Sequence, residues 1–373
     1  MSIKPSGLRG IEVADSSICF IDGEKGVLRY YGYPIQELAE QSSFEESVYL
    51  LWNGNLPTKS ELTTFEGQLL EERFVPDYTW VVAEEISRKM LPMDAMRTLV
   101  SGLSGDDPDD GNDTVEANKR KASRLLAKTP TLVAGAYRIA QGKSPIPPND
   151  GLNLAGNFLY MLTGEQPTAT AIRALDVALI LHAEHELNAS TFAARVIAAT
   201  LTDMYSAVTG AIGALKGPLH GGANAAALQM LQDIGTIDRV ESEIQARLDR
   251  RDLIMGFGHA VYKTIDPRAL VLKQMAAQLG EDNGDSTLYE LSVKVEEVVM
   301  KKKELNPNVD FYSASVYSDL MIPVELFTPV FGISRMSGWA AHILEQISNN
   351  RIIRPRTNYV GKEQQEYQSL SGR

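Results

Sequence analysis

Apolar and polar residues alternate over residues 18–21 and again over 27–30, the period of half-buried strands. Asp22, Gly23 and Gly26 lie between them as turn formers, so the pattern predicts a small β-hairpin. Beyond it the apolar spacing is helical for nearly the whole chain. Thr58 and Glu61 form a capping box ahead of Leu62, Phe65, Leu69 and Leu70 on one helical face. Ser43 and Glu46 repeat the signal ahead of Val48, Leu50 and Leu51. Residues 193–216 are apolar but small, with Ala198, Ala199, Ser206, Ala207, Gly210, Ala211 and Gly213. They predict a buried helix packed closely on another, within the subunit or across an interface, and stopped at Gly217 and Pro218. Residues 105–113 and 280–286 read as acidic loops, and no internal repeat or low-complexity tract interrupts the pattern. The prediction is an all-α protein with one minor N-terminal β-hairpin.

Length changes the picture first. The 373 residues exceed the ~250–300 at which a single core stops growing, so two domains are expected. No segment reaches the ~18 unbroken apolar residues of a membrane helix. Lys4, Arg9, Glu12 and Asp15 stand where a signal peptide needs an apolar run. Cys19 is the only cysteine, which rules out an internal disulfide and a thiolate zinc cluster and makes the cytoplasm the expected location. A formal charge of −12 argues against a nucleic-acid partner, and any anionic substrate must be met by local basic groups.

The chain has only five histidines: His182, His185, His220, His259 and His342. His220 lies in GPLHGGAN (217–224), just ahead of a helical segment whose dipole favours a neutral imidazole. Such an imidazole can donate a hydrogen bond to a substrate carbonyl, although a glycine-rich turn could equally satisfy it with backbone. His259 lies in MGFGHAVYK (255–263), where Gly256 and Gly258 allow backbone to approach a ligand; no strand precedes them, so a dinucleotide fold is a poor reading. Asp266 is a good N-cap and Pro267 a good first helical residue. Arg268 then sits in a first turn, where the dipole disfavours a cation, which suggests an anionic partner unless it extends into solvent.

Asp310 lies in NPNVDFYS (306–313), where apolar neighbours can raise its pKa and make it a base; an aspartate in a loop before a helix is the simpler reading. His182 and His185, three apart at a helix end, match neither HExxH nor its inverse and lack a third ligand, so no metal is expected. Arg335 falls inside an apolar helix, 327–347, and needs a carboxylate from the protein or a ligand. His342 reads as a core or interface histidine. Arg351, Arg354 and Arg356 form a basic stretch that alone would be a solvated tail.

In order, HAEHELNAST (182–191), GALKGPLHGGAN (213–224), MGFGHAVYKTIDPRA (255–269), PNVDFYS (307–313) and SRMSGWAAHILEQ (334–346) resemble the motifs of the citrate synthases and their relatives, the 2-methylcitrate synthases. The resemblance runs from the hairpin to the final IRPR (353–356). The length is similar to that of the shorter bacterial and archaeal branch, without the extra N-terminal domain of the hexameric, NADH-regulated members. The resemblance implies an all-α homodimer with shared active sites. A large domain would comprise residues 1–220 and 316–373, and a small domain, 221–315, would close over the substrates.

It also implies condensation of acetyl-CoA with oxaloacetate and water to give citrate, in the tricarboxylic acid cycle. No cofactor is implied, the coenzyme A thioester being a substrate. By this resemblance His220 hydrogen-bonds the thioester carbonyl, Asp310 removes the α-proton, and His259 polarises the ketone. His185, Arg268 and Arg335 would bind oxaloacetate, joined by Arg354 from the other subunit. Met255, Gly256, Phe257, Gly258, Lys263 and Asn308 would hold coenzyme A. One departure is Ala260, where many bacterial and archaeal members carry Arg; it bears on one local charge contact. The rival readings are a 2-methylcitrate synthase using propionyl-CoA, a metal-dependent hydrolase built on His182, His185 and Asp310, and a non-catalytic helical binding protein that would not take oxaloacetate.

Overall fold

The computed structural model describes residues 7–8 and 10–373, so Lys4 and Arg9 lie outside the described residues. The hairpin forms where the alternation places it. Strand β1 (Cys19–Asp22) runs antiparallel to β2 (Val27–Tyr30), with Cys19 opposite Tyr30 and Asp22 opposite Val27. Asp22 Oδ1 closes the turn by accepting the N–H groups of Glu24 and Lys25, each at 3.1 Å. A third strand, β3 (Tyr33–Pro34), pairs with β2 and corrects the two-strand expectation. It is too short to show an alternation in sequence.

The rest is helical. α1 (Ile35–Gln41), α2 (Phe44–Asn53), α3 (Lys59–Glu71), α4 (Asp77–Ile86) and α5 (Pro92–Gly102) precede the long α6 (Val115–Ala140), α7 (Leu154–Thr163) and α8 (Ala169–His182). α9 (Ala189–Ala198), α10 (Met204–Leu215), α11 (Ala223–Ile234) and α12 (Val240–Arg250) follow. α13 (Pro267–Asn283), α14 (Thr287–Lys303), α15 (Val309–Asp319) and α16 (Phe327–Ser348) complete the bundle. The Thr58 capping box is complete, each partner bonding the other's backbone N–H, whereas at Ser43 the hydroxyl accepts the Glu46 N–H at 3.1 Å. α16 is the centre of the fold. It is buried along most of its length and packs on α2, α6, α8, α9 and α10.

Two expectations need correction. The small-residue stretch is two helices, α9 and α10, folded against each other inside the subunit. The chain reverses at Leu201, whose φ is +63°, and Asp203 caps α10 by accepting the Ser206 N–H at 2.9 Å. The close packing that small residues foretold is real: a Cβ on Gly210 would collide with Ile197 Cδ1. The second acidic loop is shorter than read, because α13 continues through Gly280 to Asn283 and ends at Gly284. The first acidic loop faces the basic side of α6 and is partly buried. Arg124 donates from Nε and Nη2 to the two oxygens of Asp107 at 2.8 Å each, and Tyr205 also bonds this carboxylate.

Candidate active site

Tyr30 ties the hairpin to the end of α8. Its buried hydroxyl lies 2.9 Å from Glu184 O and accepts the Glu184 N–H at 3.1 Å. α8 ends at His182, so His185 stands in the loop beyond it, and the two histidines do not share a helix face as the sequence suggested. The Lys263 N–H donates to Gly23 O at 2.9 Å, so the hairpin turn supports the loop that carries His259. That loop is sewn to the entry of α15. Gly258 N–H donates to Asn306 O and Asn308 N–H to Gly256 O, each at 2.9 Å, and Asn308 Nδ2 donates to Gly258 O at 2.8 Å. Gly256 has φ +80°, and a Cβ there would lie 2.7 Å from that of Phe311, so the helix itself demands this glycine.

These connections bring five separated segments around a cavity of about 420 Å³. His185, His220, His259, Arg268, Asp310 and Arg335 all line it, together with Gly258 and Asn308. Lys263 is exposed and does not line the cavity, Met255 and Phe257 pack on the core, and Arg354 is exposed in the irregular stretch after α16. His182 and His342 lie apart from the opening. His182 Nδ1 bonds Ala178 O at 2.7 Å in the core. His342 Nδ1 accepts from Arg195 Nη1 and its Nε2–H donates to Glu184 Oε1, both at 3.0 Å, in keeping with a core histidine. Among the described residues no group of three or more His, Cys, Asp or Glu side chains is placed to hold a metal ion.

The hydrogen bonds assign the imidazole protons. His259 Nδ1 accepts the N–H groups of Val261 and Tyr262 at 3.0 and 3.2 Å, so the neutral ring carries its proton on Nε2. His220 Nε2 accepts the Ser190 N–H at 3.3 Å and lies 2.8 Å from Ser190 Oγ, which leaves Nδ1–H as the free donor. Ser190 Oγ is itself fixed by Trp339 Nε1–H at 3.0 Å and by Asn188 Oδ1 at 2.8 Å. His185 Nε2 meets the Tyr262 hydroxyl at 3.2 Å, and its ring packs edge-on against His259.

Burial lowers the pKa of His220 to about 4, helped by Arg335, and that of His259 to about 4, helped by Arg268. His185 lies well below its ordinary value for the same first reason. The helix dipole expected from sequence is the lesser reason for a neutral His220. α11 begins only at Ala223, and burial is the larger cause. Asp310 is the second residue of α15, where the dipole would favour ionisation, yet burial raises its pKa to about 6; Asp266 adds to the rise and Arg268 and Arg335 oppose it.

Both arginines are 2% exposed. Asp266 supplies the anion that the position of Arg268 called for, accepting from Nε at 3.0 Å and Nη2 at 2.8 Å. Arg335 donates from Nε to His182 O at 2.8 Å and lies 4.9 Å from the Phe331 ring centre, while its buried Nη1 has no partner. Ser190, Tyr262, Asp266 and Phe331 therefore support the site without having stood out for that role in sequence. Asp266 reads in sequence only as a helix cap, although it stands two residues before Arg268, and Tyr262, three residues after His259, lies in the same string.

A carboxylate whose pKa burial has raised, two neutral imidazoles with assigned donors and two buried guanidiniums suit a class of enzyme that removes a proton next to a carbonyl and binds an anion. Comparison with known proteins narrows this class. The family described as "Citrate synthase, C-terminal domain" matches residues 7–356. Citrate synthase 2 of Bacillus subtilis is 50% identical over 368 residues, covering 98% of each chain. A 2-methylcitrate synthase of Shewanella oneidensis is 42% identical, over 95% of this chain and 94% of its own. The citrate synthase of Thermoplasma acidophilum, solved as a ternary complex with carboxymethyl coenzyme A and oxaloacetate, superposes with a TM-score of 0.90 at 32% identity over 98% of each chain. The chain belongs to the citrate synthase family and is an acyl-transferring, condensing enzyme of that type.

Proposed function

We propose that the enzyme condenses acetyl-CoA with oxaloacetate and water to give citrate and coenzyme A. The convergence of Asp310, His220 and His259 on one cavity, with opposite protonation tendencies set by burial, carries this reading. A thioester α-proton is too weakly acidic for a carboxylate to remove quickly unless the enolate is stabilised as it forms. Asp310 takes the proton from the methyl carbon while His220 Nδ1–H donates to the thioester oxygen. The enol or enolate carbon then bonds the ketone carbon of oxaloacetate, whose oxygen is polarised by His259 Nε2–H and ends as a hydroxyl, the proton that Asp310 removed restoring the balance so that both groups return to their starting states. Hydrolysis of the citryl thioester releases citrate and the coenzyme A thiol. This sequence uses no metal or prosthetic group.

Arg268, Arg335 and His185 would hold oxaloacetate, with Arg354 supplied by the second copy in a homodimer. Residues 1–220 and 316–373 would form the large domain, and 221–315 the small one, which closes over the substrates and excludes water. Met255, Gly256, Phe257, Gly258, Lys263 and Asn308 would meet coenzyme A on closure. A cytoplasmic place in the tricarboxylic acid cycle belongs to the same proposal. The test is thiol release from a panel of acyl-CoAs with and without oxaloacetate. Release from acetyl-CoA only when oxaloacetate is present is expected, and no release from any thioester refutes the reading.

A further inference from the structure

Asp266 reads in sequence as a helix cap, and the roles above leave it unused. Its side chain is 1% exposed, and its bonds run to two parts of the site. Oδ1 accepts the Arg268 N–H and Arg268 Nε–H, both at 3.0 Å. Oδ2 accepts Arg268 Nη2–H at 2.8 Å and the Val309 N–H at 3.1 Å. Val309 is the first residue of α15, and Asp310 is the second.

We propose that Asp266 is a positioning residue for the condensation: one buried carboxylate orients the Arg268 guanidinium and, through the Val309 N–H, fixes the first turn of the helix that bears Asp310. The inference rests on Arg268 as an oxaloacetate ligand and Asp310 as the base. First-turn N–H groups of a helix have no partner inside it. At α15 two of them are taken from outside the ladder, Asp310 N–H by Asn308 Oδ1 at 3.0 Å and Val309 N–H by Asp266. The side-on pair also occupies one edge of the guanidinium and leaves Nη1 for a ligand. A shift of Arg268 toward a bound carboxylate therefore pulls on the same carboxylate that holds α15, which links oxaloacetate occupancy to the position of the base.

The charge of Asp266 acts on the base as well. Asp310 faces Arg268 and Asp266 from α13, Arg335 from α16 and Tyr317 on its own helix, with His220 and His259 lining the same cavity. Of the charged groups, Asp266 favours the protonated carboxyl, and the two arginines favour the carboxylate. Without the Asp266 charge the arginines act unopposed, and Asp310 becomes a weaker base that ionises at lower pH.

Two variants of the full chain separate the two links. Asp266→Asn keeps the shape and removes the charge. It is expected to raise the KM for oxaloacetate, lower kcat, and move the acid limb of kcat/KM to lower pH by on the order of one unit. Val309→Pro removes the N–H, puts ring Cδ where that hydrogen pointed so that Asp266 Oδ2 must withdraw from α15, and exchanges the buried isopropyl group for a ring of similar size. Proline suits the first helical position, and Asn308 before it already has the extended backbone that a residue before proline requires (φ −101°, ψ −179°). It is expected to lower kcat roughly tenfold with a smaller rise in the oxaloacetate KM, because Oδ1 still holds Arg268 through its N–H and Nε–H. Rates are compared per mole of folded protein by circular dichroism and melting, and Val309→Pro, which keeps every buried charge, carries the test if Asp266→Asn does not fold. Wild-type kcat and an unmoved acid limb in the folded variants overturn the inference, even if their melting temperatures fall. Asp310→Asn, measured beside them, tells the failures apart: normal turnover there withdraws the reading of the base itself, whereas a dead Asp310→Asn with unaltered Asp266 and Val309 variants overturns only the positioning role.

Discussion

Replacing Asp310 with Asn should make the protein nearly inactive and slightly more stable. General-base catalysis contributes ~10²–10⁴-fold, and an amide cannot accept the α-proton, so kcat should fall by about that range. Oxaloacetate affinity should barely change. The stability effect follows from the raised pKa. In the unfolded chain this carboxyl titrates near its ordinary value of 3.8, and in the fold near 6. Between those values the folded state binds more protons than the unfolded one, so stability falls as pH rises through that window and stays low above it. A pKa difference of about 2 corresponds to roughly 3 kcal/mol at neutral pH, as an upper bound.

Asn carries no such penalty. With an unfolding entropy of ~2.1 cal/mol/K per residue, the gain is at most about 4 °C in Tm for a chain of this length. The gain should be present at pH 7.5 and vanish below pH 4, about the unfolded pKa. Thiol release and thermal melts at both pH values read the two effects on one sample. Near-normal turnover in Asp310→Asn would remove it from the mechanism, and a lower Tm at pH 7.5 would refute the burial argument for its pKa. In the wild type, kcat/KM should fall as pH drops through about 6, because the protonated carboxyl cannot accept a proton.

Three further outcomes follow from the proposed roles. An Arg354→Ala subunit mixed with a His259→Ala subunit should regain activity, because one of the two mixed sites is intact; mixed dimers as dead as their parents would refute a shared site. Oxaloacetate alone should tighten acyl-CoA binding through a coupling free energy, and calorimetry giving equal affinity with and without it would contradict this. One methylene is worth only ~1–3 kcal/mol to a pocket, so kcat/KM should favour acetyl-CoA with measurable propionyl-CoA turnover. A ratio favouring propionyl-CoA would reassign the acyl substrate and leave the catalytic roles unchanged.

Groups whose setting is contiguous in sequence were the legible ones. His220, His259 and Asp310 sit in local strings of glycine, proline and capping residues; those strings announce the turns, whereas only their joint resemblance to one family's motifs pointed to chemistry, and the structure brings all three to one cavity. The Asp266 cap and the Thr58 box were read correctly because a cap is decided within three residues. What fixes the imidazoles was not legible, because the partners are distant: Ser190 is 30 residues from His220, and Tyr262 is 77 residues from His185. The break between α9 and α10 left a trace in Asp203, a good N-cap, but uninterrupted apolar composition hid it. The neutral His220 was reached through the dipole, whereas the larger cause is burial, a property of the assembled fold that no local string displays.

The same distinction explains how an acidic protein receives an anion. At ~0.1 M salt, exposed charges more than about 10 Å apart are largely screened, so a net charge of −12 spread over the surface weighs little at the cavity. Arg268 and Arg335 are buried and are screened far less. Arg268 is matched by Asp266, but Arg335 is not fully matched: Nη1 has no partner, and burial holds its pKa below the ordinary arginine value although Glu184 opposes the shift. A buried guanidinium with an unpaired nitrogen costs free energy in the unliganded protein. A carboxylate that reaches Nη1 removes that cost on binding, whereas an uncharged thioester cannot. On the proposed role of Arg335 as an oxaloacetate ligand, one carboxylate of that substrate would meet Nη1 and recover this cost. That gain gives the physical reason to expect it to bind first and to set the position of the base before the thioester arrives.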